Sequence, residues 1–379
     1  METNNKRYDC AIIGGGLAGL CLSIQLANNG ISVVVFEKNE YPFHKVCGEY
    51  ISMESWDFLS ALGLPLEQMQ LPKINFLGVS SENGFMLNAP LDMGGFGISR
   101  YTLDNELYKL AVSKKVTIIQ NCKVYSVSKT ENSYDIETSQ GVFGSTILCG
   151  SYGKYAPSFI QNNENYHSKK DTGSNYIGVK YHIKSTLSDN RIELHNFKGG
   201  YCGVSKVDQD WYCLCYLSDS KNLSENGNNI KQMEEMVLHK NPFLKKYFTE
   251  SEFLNAQPIV ISNIQFSKKQ TNIDGIFLLG DAAGSITPLC GNGMSMGMKA
   301  SKILATELIL FFERKIALSQ LIINYENSWN KSFNARIKTG YYLQNLFGKK
   351  RTTHVVLKLL NKLPGLTNKI ISLTHGEKF

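Results

Sequence analysis

The sequence predicts an α/β fold in which a parallel-sheet core is interrupted by an antiparallel β-sheet and followed by a helical tail. Three observations predict it. The first forty residues read as strand, glycine turn, helix and strand; the middle is a series of short tyrosine-rich strands; the last fifty residues are basic with helical spacing.

The opening unit runs from Asp9 to Lys38. Cys10-Ala11-Ile12-Ile13 is an apolar run suited to a strand buried on both faces. Gly14-Gly15-Gly16-Leu17-Ala18-Gly19 follows with the spacing G-x-G-x-x-G. Leu17, Leu20, Cys21, Ile24 and Ala27 then share one helical face, and Gly30 stands where a helix C-terminus favours glycine. A second buried strand, 31–36, ends at Glu37. In such a unit Gly14 permits the tight turn, Gly16 lets the backbone approach a pyrophosphate, and Gly19 lets helix and strand pack closely. The helix N-terminus offers N–H groups and a positive dipole end to phosphates. Glu37 can accept hydrogen bonds from a ribose 2′-hydroxyl. The unit predicts a Rossmann-like dinucleotide site; a bare glycine turn leaves the placement of Glu37 unexplained.

The rest of the chain follows in order. A loop over 39–52 carries Lys45-Val46-Cys47-Gly48-Glu49 and leads to a helix over 53–62, capped by Ser52 and stopped by Gly63. Strands at 74–79 and 84–88 precede the glycine-rich Gly94-Gly95-Phe96-Gly97. A helix opens at Arg100, with Leu103, Leu107 and Leu110 on one side, and strands follow near 116–120, 124–130, 134–138 and 145–150. Short aromatic strands over 176–183, 192–196, 201–207 and 211–218 predict an inserted antiparallel sheet. A helix over 228–239 is expected beneath it. The chain returns to a buried strand at 275–279, ending in Gly280-Asp281-Ala282-Ala283-Gly284; Pro288 and Gly291-Asn292-Gly293 precede a long helix from Met294 to about Arg314.

Composition limits the function classes. The 379-residue chain is 42% hydrophobic, which suits a globular protein with a large core. No apolar run is long enough to span a bilayer. The first strand begins within about ten residues, and no secretory leader is expected. Nine cysteines occur without C-x-x-C pairs, and Cys213-x-Cys215 is too tight for a zinc-type pair; reduced thiols in a cytoplasmic protein and no metal are expected. His44, His182, His195 and His239 fall in no metal-ligand pattern, and no Ser/His/Asp arrangement is recognisable. The net charge of +7 belongs to the tail: residues 331–379 hold ten Lys or Arg and one acid, Glu377. No nucleic-acid recognition motif accompanies that charge.

Gly280-Asp281 at the end of a buried strand supplies a second half-site. Its carboxylate can bond a ribitol hydroxyl, and the following helix N-terminus suits negative charge on a reduced flavin ring. With Gly14-x-Gly16-x-x-Gly19, Glu37, Arg100-x-x-Leu103-Asp104, Pro288 and Gly291-x-Gly293, the chain resembles the FAD-dependent aromatic hydroxylases, geranylgeranyl reductases and tryptophan halogenases over most of residues 8–315. The resemblance implies FAD as cofactor, a Rossmann-like FAD-binding domain (1–72, 98–155 and 272–314), an antiparallel β-sheet substrate domain (73–97 and 156–271) and a helical basic tail (315–379). It implies that Arg100 reaches the phosphate–ribitol region and that Val124 lies beside the adenine. The expected cofactor-binding set is Gly14, Gly16, Gly19, Glu37, Lys38, Lys45, Arg100, Val124, Gly280, Asp281, Gly291 and Gly293.

Within that family, Lys45-Val46-Cys47-Gly48-Glu49 is similar to the Cys-Gly motif of the geranylgeranyl-reductase branch, and Gly284 stands where hydroxylases often carry His. Tyr201-Cys202-Gly203-Val204-Ser205-Lys206 lacks the branch's Trp, Phe and Pro. The halogenase Trp-x-Trp-x-Ile-Pro signature is absent, and Gly150-Ser151-Tyr152-Gly153 lacks the hydroxylase Asp-Gly motif. The expectation is a reductase of a double bond in a hydrophobic, prenyl or lipid-like substrate, with Cys47 as catalytic residue and NAD(P)H or a redox protein as electron donor. A monooxygenase acting on an aromatic or polyketide-type substrate is the alternative, and a non-enzymatic FAD-binding protein the third. Tyr176, Tyr181, Tyr201, Tyr212 and Tyr216 either line an apolar cavity or pack the sheet. In the tail, Tyr341-Tyr342-Leu343, Leu346-Phe347, Val355-Val356-Leu357, Leu359-Leu360 and Ile370-Ile371 alternate with lysines. Gly348 and Pro364-Gly365 divide it into short helices that suit either a membrane surface or packing on the substrate domain.

Overall fold

The computed structural model describes residues 6–166, 175–264, 269–284, 291–344 and 346–379. Apolar runs at the N-terminus build the first sheet. Arg7–Ile13 lies at its centre, parallel to Val33–Phe36 on one side and to Gly141–Gly150 on the other. Thr117–Ile119 and Ile276–Leu278 extend it in parallel at either end. The hairpin Val124–Lys129 and Tyr134–Thr138 joins it antiparallel. Cys10, Ala11, Ile12, Val34, Val35, Leu148 and Cys149 have no exposed surface, as strands covered on both faces require. Helix Leu17–Asn28 and helix Gly293–Phe312 pack against each other on this sheet.

The second sheet has nine strands among the described residues, including Tyr50–Ser52, Lys73–Ser80, Met86–Gly97 and the four from Tyr176 to Asp219. Two local expectations change here. Gly94 to Gly97 end a strand in which Gly95 and Phe96 pair with Ser52 and Ile51. Tyr50–Ser52, inside the stretch assigned wholly to the nucleotide domain, therefore belongs to the second sheet. And the sheet is mixed: Arg191–Phe197 pairs parallel to Lys73–Ser80. No hairpin links those two strands, so nothing imposes antiparallel pairing there. Helix Ile230–Met236 packs on the sheet with its Met233 fully buried, and Pro242–Glu250 adds a helix the sequence reading left out.

The tail is helical from Leu318 and breaks around Gly348 and at Pro364, as the sequence suggests. Leu318–Gln344 is one 27-residue helix. Leu321, Tyr325, Trp329 and Phe333, spaced by four, form a buried stripe against the first sheet. The Tyr325 hydroxyl donates to the Leu278 carbonyl (2.7 Å). Lower on the same helix, Arg336 pairs with the fully buried carboxylate of Glu54. Lys350–Lys362 and Pro364–Thr374 then cross the second sheet along Met86–Gly97. Lys350 pairs with Glu82 (2.9 Å), Ser81 and His354 share a hydrogen bond (3.0 Å), and the Phe379 N–H donates to the Glu54 carbonyl (3.2 Å). These contacts hold both ends of the tail to the body.

Replacing Arg336 by Ala leaves the Glu54 carboxylate buried without its partner, a loss of about 3–5 kcal/mol. Urea unfolding should show that drop, and the Arg336→Met, Glu54→Gln double variant should recover part of it.

Candidate active site

The turn that precedes helix Leu17–Asn28 is built by close backbone approach. Gly14 has φ +103°, and any side chain there would run into the Ser151 carbonyl. Gly19 packs its bare Cα face against the Gly14 carbonyl, with Ile12 and Ser151 beside it. Gly16 is different: a β-carbon there would meet only the Lys45 ammonium, at 3.6 Å. Its backbone faces open space, and no side chain caps the helix that starts at Leu17. Helix Gly293–Phe312 likewise begins without a side-chain cap. Two helix N-termini without side-chain caps thus border the same cavity.

That cavity has a volume of about 930 Å³. Gly14, Gly16, Glu37, Lys38, Lys45, Arg100, Val124, Gly280, Asp281, Gly291 and Gly293 line it, as does Cys47; Gly19 does not, because it serves packing. Pro288 lies outside the described residues. Glu37 is already engaged: Gly15 N–H donates to Oε2 (3.0 Å) and the Asn39 N–H to Oε1 (3.0 Å). A carboxylate has about four acceptor sites, so room for a ribose hydroxyl remains. Arg100 makes two bonds to Asp104 (2.8 and 2.7 Å), and Lys45 a third (3.0 Å). Burial raises the Asp104 carboxyl, but Arg100 and Lys45 outweigh it and hold the group ionised, below its ordinary range. Asp281 pairs with Lys154 (3.3 Å). The cavity end bearing these residues fits FAD on two observations. The Gly16 backbone is a cradle that a side chain would fill, and the buried His44 Nδ1 and Tyr50 hydroxyl, both on cavity-lining residues, lack partners among the described residues.

The other end of the cavity is aliphatic. Leu77, Val79, Leu87, Leu91, Ile192 and Leu194 come from the second sheet, and Leu343, Phe347, Val356, Leu357, Leu360 and Ile371 from the tail. Of the sheet tyrosines, Tyr201 and Tyr216 line the cavity. Tyr181 donates to Glu234 (2.9 Å) within the core behind the sheet. Cys47 sits where the two ends meet: its Sγ is 3.6 Å from Met294 Sδ, and its carbonyl accepts from Cys213 Sγ (3.3 Å) of the second sheet.

Sequence reasoning missed the hub of this junction. Glu49 is fully buried with φ +56°, a left-handed backbone rare for a residue with a side chain. Its carboxylate accepts from the Arg100 N–H (2.7 Å), from the Lys180 ammonium and from His182 Nε2 (2.7 Å). Lys180 also donates to the Lys45 carbonyl (3.2 Å). The only signal available was the Cys-Gly-Glu run, because Lys180 and His182 lie some 130 residues away. Burial raises the Glu49 carboxyl, yet the His182 hydrogen bond and the Lys180 charge hold it below 4.5. For Lys180, burial lowers the ammonium, and the Glu49 charge more than restores it, to above 10.5. His182, with Glu49 and Cys213, also forms a group of ligand-type atoms within 4.8 Å of one another, which the sequence had not shown. Lys180, paired with Glu49, places a positive charge beside this group. A Ser–His–Glu line exists as well: Ser80 Oγ lies 2.9 Å from His195 Nδ1 and Glu193 Oε2 3.1 Å from Nε2. All three are buried and none borders the cavity, so the line is structural.

Two outcomes follow. Glu49→Gln strands Lys180 in the core and should cost about 3–5 kcal/mol at neutral pH. Because the Glu49 value is depressed on folding, its contribution is present above pH 4.5 and lost as pH falls through the folded value; acid titration of stability should be flatter in the variant than in the parent over that window. Gly16→Leu should leave the fold intact and abolish flavin uptake, read from visible absorbance after reconstitution with FAD.

Comparison with known proteins agrees with this geometry. Residues 11–180 match the family model described as pyridine nucleotide-disulphide oxidoreductase. The chain is 24% identical over 365 residues to conditioned medium factor receptor 1 of Dictyostelium discoideum, covering 86% of this chain and 68% of that protein. It is 20% identical over 359 residues to the digeranylgeranylglycerophospholipid reductase of Methanococcus vannielii, covering 87% and 84%. The solved structure of the flavin-dependent brominase Bmp2 superposes with a TM-score of 0.79 at 17% identity, over 97% of this chain and 93% of that one. With its glycine cradle, paired half-sites and this fold, the chain is an FAD-dependent oxidoreductase, similar to proteins named as a geranylgeranyl-lipid reductase and a flavin-dependent brominase.

Proposed function

We propose that the protein reduces a carbon–carbon double bond in a hydrophobic, prenyl or lipid-like substrate. The observation that carries this reading is the continuity of the FAD-side cavity with an aliphatic chamber roofed by the tail. Bound FAD, once reduced, supplies hydride chemistry. The chain's own residues do the rest. Gly14, Gly16 and the two helix N-termini hold the phosphates and the negative charge of the ring; Glu37 and Asp281 take the ribose and ribitol hydroxyls; Val124 lies at the adenine. Leu77, Leu194, Phe347 and Leu357 bind the apolar chain and exclude water. Cys47 lies on the wall between the two ends and positions the reacting bond or relays a proton to it.

Electrons come from NAD(P)H or a redox protein, and the substrate from a lipid bilayer. No helix among the described residues is long and apolar enough to cross a membrane, so contact with a bilayer is peripheral in this reading.

Photoreduced holoenzyme mixed anaerobically with a geranylgeranyl lipid should yield product heavier by two hydrogens in mass spectrometry. A product heavier by one oxygen, formed only in air, would instead make the protein a monooxygenase. Cys47→Ser should keep its FAD and slow reduction by at least about tenfold; turnover at the parent rate would assign Cys47 a packing role instead.

A further inference from the structure

The two last helices are apolar on both sides. Val356, Leu357, Leu360, Ile370 and Ile371 face the cavity. On the other side Val355 is 64% exposed, Leu359 53%, Leu363 44%, Leu366 44% and Leu373 53%. Val355 and Leu359 lie four residues apart on the first helix, Leu363 follows at the junction, and Leu366 and Leu373 lie two turns apart on the second, so each helix carries an exposed apolar face. A helix that only covered a pocket would need one apolar stripe.

Charge accompanies the outer side. Residues 346–376 contain Lys349, Lys350, Arg351, Lys358, Lys362 and Lys369 and no Asp or Glu. Lys350 is used in its pair with Glu82. Lys358, Lys362 and Lys369 are exposed beside the outer leucines. Their aliphatic stems can lie along apolar surface while the ammonium groups stay in water. Leucine flanked by lysine is not the composition of a protein–protein interface core, where aromatic residues and Arg are enriched and Lys is depleted. It is the composition of a helix lying in an anionic lipid surface.

We infer that the outer face of helices Lys350–Lys362 and Pro364–Thr374 docks on an anionic bilayer, so that the cavity roof lies between the lipid and the aliphatic chamber. The inference rests on the hydrophobic-substrate reading for its purpose and names the surface that supplies that substrate. Entry then takes place beneath the roof, past side chains that match lipid on one side and the chamber on the other.

The test uses full-length, FAD-loaded protein and sedimentation with two kinds of vesicle, phosphatidylcholine alone and phosphatidylcholine with phosphatidylglycerol. The parent should sediment with the anionic vesicles and far less with the neutral ones. Raising salt from about 0.05 to about 0.5 M should weaken binding as screening shortens. The triple variant Leu359→Ser, Leu363→Ser, Leu366→Ser should reduce binding by at least about tenfold with unchanged flavin absorbance and melting. Should the triple variant fold poorly, Lys358→Glu with Lys362→Glu must give the same loss. Parent protein that stays in the supernatant with anionic vesicles, or outer-face variants that bind as well as the parent, would overturn the inference. So would light scattering that shows a dimer which the triple variant dissolves, since a second copy would then cover the face. Sedimentation is read without substrate, so its failure leaves the proposed reduction standing, and failure of the reduction leaves the docking result intact.

Discussion

Two sheets of different construction meet at one buried carboxylate. Glu49 accepts from the first residue of helix Arg100–Ser113 and from two side chains of strand Tyr176–Lys184 in the second sheet. A lone ionised carboxylate in a dry interior is costly, and so is an ammonium; each is tolerable here because the other is present. The consequence is positional. Lys45 to Glu49 cannot move without breaking that set, and these residues form the cavity wall at the junction of its polar and aliphatic ends. The position of Cys47 is set by Glu49 and Lys180 more than by anything Cys47 does.

The polar end is governed by backbone, the aliphatic end by side chains. At the polar end, two helix N-termini and bare glycines present N–H groups toward one space, which suits phosphate and delocalised negative charge. At the aliphatic end, alternate strand residues of the second sheet meet the inner stripes of the tail helices. Neither surface encloses a chamber alone. A strand face such as that bearing Leu77 and Val79 stays open until something covers it, and the tail does so while the Glu54–Arg336 pair and the Glu82–Lys350 pair hold it down.

The tail's apolar run builds two faces. Val356 and Val355 are neighbours in sequence, yet one lines the cavity and the other is mostly exposed. Helical geometry turns successive residues by about 100°, so a run of adjacent apolar residues supplies both faces. The same run can therefore line the chamber on one side and leave an exposed apolar face on the other.

By itself the sequence determined the first sheet, the glycine turn and a set of twelve expected cofactor-side residues, of which all but Gly19 border the cavity. Those features are local: a strand buried on both faces, a φ that only glycine adopts easily, and a helix start all write themselves into a few consecutive residues. Strand pairing in the second sheet was decided only by tertiary structure. The parallel alignment of Arg191–Phe197 with Lys73–Ser80 joins segments over a hundred residues apart, and the strand character of Gly94 to Gly97 comes from a partner at Tyr50–Ser52. The same holds for Glu49 with Lys180 and His182, and for Glu54 with Arg336. Each is an ordinary polar residue in its own neighbourhood, and only burial beside a distant opposite charge gives it a role.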